Sequence, residues 1–535
     1  MKIWISRVLS VFAITALLTF SALSPPAMSA TPEEIEAAII NGLSWLADQQ
    51  NADGSWPAPP NRPDEEVAAT GLAVLAFEMQ AIELGLDPMN VEYEYGENVG
   101  KGLAYILSNK HEQPISAELA GDPDGDGDGK GVYFVNYGKN VIYNTGIAMM
   151  AIAASGHPEL YGDTLQDAVD YLAWGQAEDG SYRGGWSYAG NQPSSDNSNS
   201  GYATSGLGFA AAAPPYGFGL TIPQFVKDEL SPWIDVMQDD VNGDLNDGGS
   251  WYMWFWQWVN ILKTGNLLYE MALVGDTVET QRVKDAIDYI ERHWNDPGGD
   301  SIYSTGWRDH CQATFTMMKG LEALGIDLID LDDDGVAEHD WFEEVSNHLV
   351  STQNGDGSWP NDPWERVGEP ILSTAWALLA LQKAVPREPA NEIAVFVDIK
   401  PSSCPNSLNP KSKGVLPVAV LGAGDFDVTM VDPATIQLSL EGFENVSVEP
   451  LRWSYEDVAT PFDGELCDCH EFEGDGYLDL TLKFDTSELV QTLNLNKVAG
   501  ETISLLLTGK LKEEYGGSPI EGQDCVRVLR QGKKK

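Results

Sequence analysis

Three strings in this chain obey one rule, Gln-x-x-Asp-Gly-Ser followed by Trp or Tyr: Gln50 to Trp56, Gln176 to Tyr182 and Gln353 to Trp359. A string that returns at long intervals marks a repeat architecture, in which each unit is too small to bury its own apolar face and must stack on the next. Each string closes an amphipathic stretch. Before the first, Thr31 can cap, Pro32 suits the first helical position, Glu34 completes a capping box, and Ile35, Ile39, Leu43 and Leu46 form one apolar stripe. A more apolar stretch follows each string, and its opening also repeats: Thr70-Gly71, Thr145-Gly146, Ser205-Gly206, Thr264-Gly265, Thr374-Ala375 and a degenerate Thr314-Phe315. A helix apolar on most faces must be buried, while one with a single stripe covers it from outside. Six such pairs over residues 31–385 predict an all-α (α/α)6 toroid.

Within that toroid the repeat residues Gln50, Gly54 and Trp56, Gln176, Gly180 and Tyr182, and Gln353, Gly357 and Trp359 are expected to act as staples, with Gly249-Ser250-Trp251 as a looser fourth. A glutamine at a helix C-terminus satisfies orphan groups of the turn, a glycine takes the positive φ, and the ring packs over it. This junction resembles the QW repeat of squalene-hopene cyclases and the related prenyltransferase toroids. The resemblance implies the same ring of inner and outer helices.

The chemistries of that family leave weaker traces. Its cyclases protonate an alkene with an Asp of an Asp-x-Asp-Asp-Thr-Ala string opening an inner helix, where a desolvated acid is required. Here Asp330-Leu331-Asp332-Asp333 follows the fifth inner helix, and the matching frame, Leu372-Ser373-Thr374-Ala375, carries no acid. The other inner helices offer Ala69, Asn144, Thr204 and Lys263 in that frame. The family's prenyltransferases hold zinc with an Asp-x-Cys pair and a distant His. Asp309-His310-Cys311 cannot converge on one metal from a single helix, because successive side chains point about 100° apart, so no zinc site is expected. A thioester string is absent.

What remains is the mouth where outer helices turn into inner ones. Its long loops carry Trp186, Tyr188, Trp254, Trp256, Trp258 and Trp364, with Arg308 among the polar neighbours, as candidate ligand contacts. Aromatic rings with a few polar groups suit a small-molecule, lipid or glycan ligand, and packing of the barrel end is the alternative. Asp309 and His310 are the candidate acid and base. A binding protein, a terpenoid-cyclase-like enzyme and a glycan-active enzyme all stay open.

Alternating carboxylates and glycines in Asp122, Asp124, Asp126 and Asp128 suit a hard, oxygen-seeking cation, calcium above all; solvated acidic turns are the alternative. Asp240, Asn242 and Asp244, and Asp330, Asp332 and Asp334, repeat the spacing without completing an EF-hand. The formal charge of −51 speaks against nucleic acid as a partner. Residues 1–30 read as a signal peptide, with Lys2 and Arg7 before an apolar run and a small-residue exit at Ala30, so export is expected, with no integral membrane segment after cleavage.

After a linker at 386–392, residues 393–535 carry alternating β-branched runs punctuated by turn residues, which predicts a β-sandwich accessory domain. Asp398-Ile399-Lys400-Pro401 and Asp475-Gly476-Tyr477-Leu478-Asp479 resemble a module of exported prokaryotic proteins. Cys404, Cys467, Cys469 and Cys525 fall here, where export favours disulfides over a metal site, and Asp475 and Asp479 are further cation candidates.

Overall fold

The computed structural model describes residues 29–178, 180–241, 243–298, 304–332, 334–361, 370–386, 393–424, 426–440, 446–462, 467, 473–512 and 519–530. The expected signal peptide (save its last two residues), Asn242, Trp364, Cys469 and nearly all of the linker lie outside them. The chain divides into two compact units, Met1–Pro386 and Arg387–Lys535.

The first unit runs through α1 (Pro32–Asp48), α2 (Glu66–Glu83), α3 (Gly96–Ser108), α4 (Val141–Ala154), α5 (Pro158–Gly175), α6 (Asn197–Ala211), α7 (Gln224–Met237), α8 (Ile261–Val274), α9 (Gln281–His293), α10 (Cys311–Ala323), α11 (Trp341–Thr352) and α12 (Ile371–Leu381). Even-numbered helices are buried along nearly their whole length, as in Val67 to Met79 of α2, whereas α1 buries only Ala38, Ile39, Gly42, Leu43 and Leu46. Each even helix packs on the next, and α12 packs on α2, so the inner ring closes. The expected capping box is present: Thr31 accepts from the Glu34 amide while Glu34 accepts from that of Thr31.

Four staples bind neighbouring outer helices. Gln50 Nε2 donates to Gly54 O at 3.0 Å and, across to α3, to Asn98 O at 2.9 Å. Gln238 repeats this with Gly248 and Arg282 of α9, and Gln353 with Gly357 and Ala38, joining α11 to α1 where the ring closes. The staple at Gln176 corrects the expected register. Gln176 donates to Gly184 O at 2.8 Å and Val226 O at 3.0 Å, so Gly184 and Trp186, not Gly180 and Tyr182, are the stapling pair. Trp186 is fully buried with its Nε1 on Leu172 O, as Trp56 Nε1 lies on Leu46 O and Trp359 Nε1 on Leu349 O. A Cβ on Gly54, Gly184, Gly248 or Gly357 would sit within 2.3 Å of a carbonyl oxygen of the neighbouring outer helix, and all four have positive φ.

The repeated Thr-Gly openings have two separate causes. The hydroxyls of Thr70, Thr264 and Thr374 accept the amides of Trp56, Ser250 and Trp359, anchoring the staple to the inner helix. The following glycine lets the next inner helix approach: a Cβ on Gly71 would meet Ile147, and one on Gly265 the backbone of Thr316 and Met317. In α6 this role belongs to Ser200, which accepts the Trp186 amide at 2.9 Å, and to Gly201. The Ser205-Gly206 alignment read from sequence is therefore displaced along the helix.

Two acidic loops are held by short antiparallel hairpins. One joins β1 (Lys110–Pro114) to β2 (Lys130–Phe134) and the other β3 (Leu328–Ile329) to β4 (His339–Asp340). Among the described residues no helix is long and apolar enough to cross a membrane.

The second unit contains β5 (Ile393–Ala394), β6 (Val397–Ile399), β7 (Ser407–Leu408), β8 (Val415–Val420), β9 (Val431–Leu440), β10 (Ser447–Val448), β11 (Arg452–Glu456), β12 (Asp479–Asp485), β13 (Thr502–Leu511) and β14 (Pro519–Val528), with a short helix α13 (Thr486–Thr492). One sheet has the order β10-β9-β13-β14-β5 with β7 beside β14, and the other β11-β12-β8-β6. Alternate residues of both sheets, such as Val418, Leu482, Leu438 and Leu507, share one core, which makes the unit a β-sandwich. Cys467 is disulfide-bonded to Cys525, and Cys404 is disulfide-bonded as well. Asp479 is buried and accepts the amides of Gly422, Val458 and Ala459, and Asp475 accepts that of Tyr477; the carboxylate of Asp479 is thus occupied by backbone.

Candidate ligand site at the ring mouth

A cavity of about 300 Å³ opens where the inner helices begin. Every part of its wall comes from the first turns of those helices or the loops that lead into them. Arg62 and Glu65 precede α2, Asn140 and Tyr143 start α4, Tyr252, Trp256, Trp258 and Asn260 precede α8, Lys263 lies in its first turn, and Gln312 and Trp376 come from α10 and α12.

Two groups dominate its electrostatics. The Glu65 carboxyl is buried and accepts from Asn140 Nδ2 at 3.1 Å and Arg62 Nη1 at 3.3 Å. Burial pushes its pKa upward, with Arg62 acting in the opposite sense. Asn140 is held in turn by Asn144, whose Nδ2 donates to Asn140 O and Asp64 O while its Oδ1 accepts the Ala68 amide. Lys263 is 3% exposed; Nζ donates to Asn260 Oδ1 at 2.7 Å and lies 3.8 Å from the centre of the Trp258 ring. Burial alone drives its amine well below the usual lysine range. Asn260 also caps α8 through the Lys263 amide, which fixes both side chains to the helix end. Around them Tyr252 packs edge-on to Trp256 at 5.4 Å, and the Tyr188 and Tyr252 hydroxyls are 3.2 Å apart.

Of the residues expected from sequence, Tyr188, Trp256 and Trp258 line this cavity. Trp254 is 41% exposed at the rim, edge-on to Tyr182, and does not line it. Trp186 is corrected to a core residue by its stapling role. Arg308 is spent on structure: it donates to Trp294 O at 2.6 Å and pairs with Glu344. The expected Asp309 and His310 acid–base pair does not form. His310 is 2% exposed and caps α10, its Nδ1 accepting from the Ala313 amide, while Asp309, at φ 59°, points outward to His348 at 3.3 Å. Cys311 is buried beside them.

Arg62, Asn140, Tyr143, Tyr252, Lys263, Gln312 and Trp376 were not among the expected ligand contacts. The signal that finds them is position: all but Tyr252 lie in or just before the first two turns of an inner helix, and Lys263 occupies the frame residue before Thr264. The Asp330 string lies beyond the C-terminal end of α10, away from this mouth. Two buried carboxyls, Glu78 and Glu270, are pushed upward by burial further along α2 and α8, and neither lines the cavity.

The acidic loops gather as expected in two of three cases. Asp124, Asp126 and Asp128 bring ligand oxygens within 4.8 Å of one another, as do Asp330, Asp332 and Asp334. Asp124 also accepts the amides of Gly127, Asp128 and Gly129, and Asp122 that of Asp124. Beneath the first loop, Asp170 accepts the Gly125 amide, and burial pushes its pKa up to about 7. Asp244 instead accepts the amides of Asn246 and Asp247, and no three-carboxylate group forms with Asp240 among the described residues; Asn242 is outside them.

Ring and mouth together define a helical toroid with a polar, aromatic-walled site. No family model matches the chain, and no curated protein does. Among solved structures it is similar to a GH76 alpha-mannanase of Bacteroides thetaiotaomicron, at 12% identity and a TM-score of 0.43 over 65% of this chain and 95% of that one. It is also similar to a GH76A alpha-1,6-mannanase of Salegentibacter sp., at 10% identity and a TM-score of 0.40 over 65% and 99%.

Proposed function

We propose that the first unit recognises a saccharide at the mouth of its ring, in an exported protein whose acidic loops take calcium and whose β-sandwich is an accessory module. The observation that carries this reading is the make-up of the cavity wall. Tyr143, Tyr252, Trp256 and Trp376 line it together with the amide side chains of Asn140, Asn260 and Gln312. A pyranose offers apolar C–H faces and a rim of hydroxyls, which such a wall can stack and hydrogen-bond. A lipid would instead cover those amides, Arg62 and Lys263 without giving them polar partners.

Tryptophan fluorescence titrated with a panel of neutral and acidic oligosaccharides is expected to saturate, and Trp256→Ala to weaken binding by about tenfold or more. A flat titration across the panel sinks the reading. Calcium is expected to raise the melting temperature and EDTA to lower it, because a ligand that binds only the folded state stabilises it; an unchanged melt removes calcium from the account.

Glu65 favours a second reading, glycan cleavage, since a carboxyl that keeps its proton to higher pH suits a general acid. Hydrolysis by two carboxyls asks for a partner roughly 5–10 Å away, and Glu65 is the one carboxylate among the described lining residues. New reducing ends in the same incubations, lost in Glu65→Gln, decide for cleavage; binding without them decides for recognition alone.

A further inference from the structure

Among the described residues the inner helices bury two lysines, and they are satisfied very differently. Lys319 of α10 reaches Ser205 Oγ at 2.7 Å, Asn266 Oδ1 at 3.2 Å and Gly201 O at 3.3 Å, so each of its three N–H bonds has an acceptor, and Glu270 adds a favourable charge. Lys263 of α8 is equally buried but gives one N–H to Asn260 and rests its charge on the face of Trp258. Among the described residues it has no ion pair, and the rest of its head lies in the cavity wall. Arg62, the other cation of the wall, is engaged with Glu65 and does not share the role. A desolvated ammonium with N–H bonds to spare is costly while the cavity is empty, and an anion placed against it recovers that cost.

We infer that Lys263 is the specificity-determining residue of the mouth and that the ligand is a carboxylate-bearing sugar, a hexuronate unit whose carboxylate meets Nζ while its ring stacks on the Tyr252 and Trp256 faces. This inference rests on the saccharide reading above for the sugar and on Lys263 alone for the acid.

Calorimetric titrations of the full chain with the methyl glycosides of glucuronate, galacturonate and mannuronate, and with their neutral hexose counterparts, separate the two. At least one uronide is expected to bind about tenfold or more tighter than its neutral partner, with an advantage that shrinks as salt is raised. In Lys263→Met the ratio of uronide to neutral affinity is expected to fall to about one; Lys263→Gln, which can still donate to Asn260, repeats the measurement should the methionine variant fold poorly. Equal affinity for charged and neutral partners, or a preference that survives both substitutions, overturns the inference and leaves the saccharide reading standing. Cyclohexanecarboxylate is the third arm. If it binds in a Lys263-dependent way while no glycoside does, the acid site holds and the saccharide reading fails. Silence in all arms overturns both.

Discussion

Gly184→Ala and Gly180→Ala form a matched pair, four residues apart in one loop, whose difference measures the staple at Gln176. Both glycines have positive φ, 95° and 56°, so each alanine incurs a backbone cost of about 1–2 kcal/mol. Only at Gly184 is there something to collide with: its Cβ would lie 2.0 Å from Glu229 O and 2.7 Å from its carbonyl carbon, whereas at Gly180 nothing lies within 4 Å. The backbone must then retreat from α7, and the two bonds of Gln176, to Gly184 O and Val226 O, are stretched or lost at about 1 kcal/mol each. Gly184→Ala is therefore expected to cost about 3–4 kcal/mol and Gly180→Ala about 1–2. Urea unfolding followed by tryptophan fluorescence is the suitable assay, because the second unit contains a single tryptophan, Trp453, and the signal belongs almost wholly to the ring. Equal losses in the two variants, or a larger loss at Gly180, would refute the assignment of the staple.

Asp170 predicts a pH dependence. Its folded-state carboxyl is raised from the ordinary 3.8 to about 7, so the stability it contributes is full below the unfolded pKa near 4 and is lost as pH rises through about 7. Without calcium, Asp170→Asn should match the parent near pH 4 and exceed it above pH 7; a pH-independent difference between the two melting curves counts against this. His310→Ala is expected to cost about 1 kcal/mol through the lost cap of α10 and to leave saccharide affinity unchanged, with Asp309→Ala near neutral in both respects. A loss of binding or turnover without a loss of stability in either variant would restore them as chemical groups.

The reach of the sequence reading followed how local each interaction is. Helix α1 was legible down to its capping box because all its partners lie within three residues of one another. The first and last staples were legible because Gln50 and Gln353 stand four residues before their glycines. In the other two the same bond spans eight residues, from Gln176 to Gly184, and ten, from Gln238 to Gly248, since only the ends of the loop are constrained. Gly180 holds the motif's position in sequence with no carbonyl of a neighbouring helix against it. What does not drift is the bond from the staple amide to the inner-helix hydroxyl, which spans fourteen residues in three repeats and fifteen in a fourth. That interval would have chosen Trp186 over Tyr182 and Ser200-Gly201 over Ser205-Gly206 from the sequence alone. It would also have moved the α6 frame residue from Thr204 to Asn199, beside Lys263, Asn144 and Ser373 as the residue just before the hydroxyl. The chemistry was less legible for a different reason. Asp309 and His310 look like an acid and a base, but a histidine at the start of a helix also answers the need of unpaired amides, and burial decided for the cap. Lys263 looks like a solvated charge at the start of a largely apolar helix; only closure of the ring turns that frame position into the wall of a cavity and strips the ammonium of water.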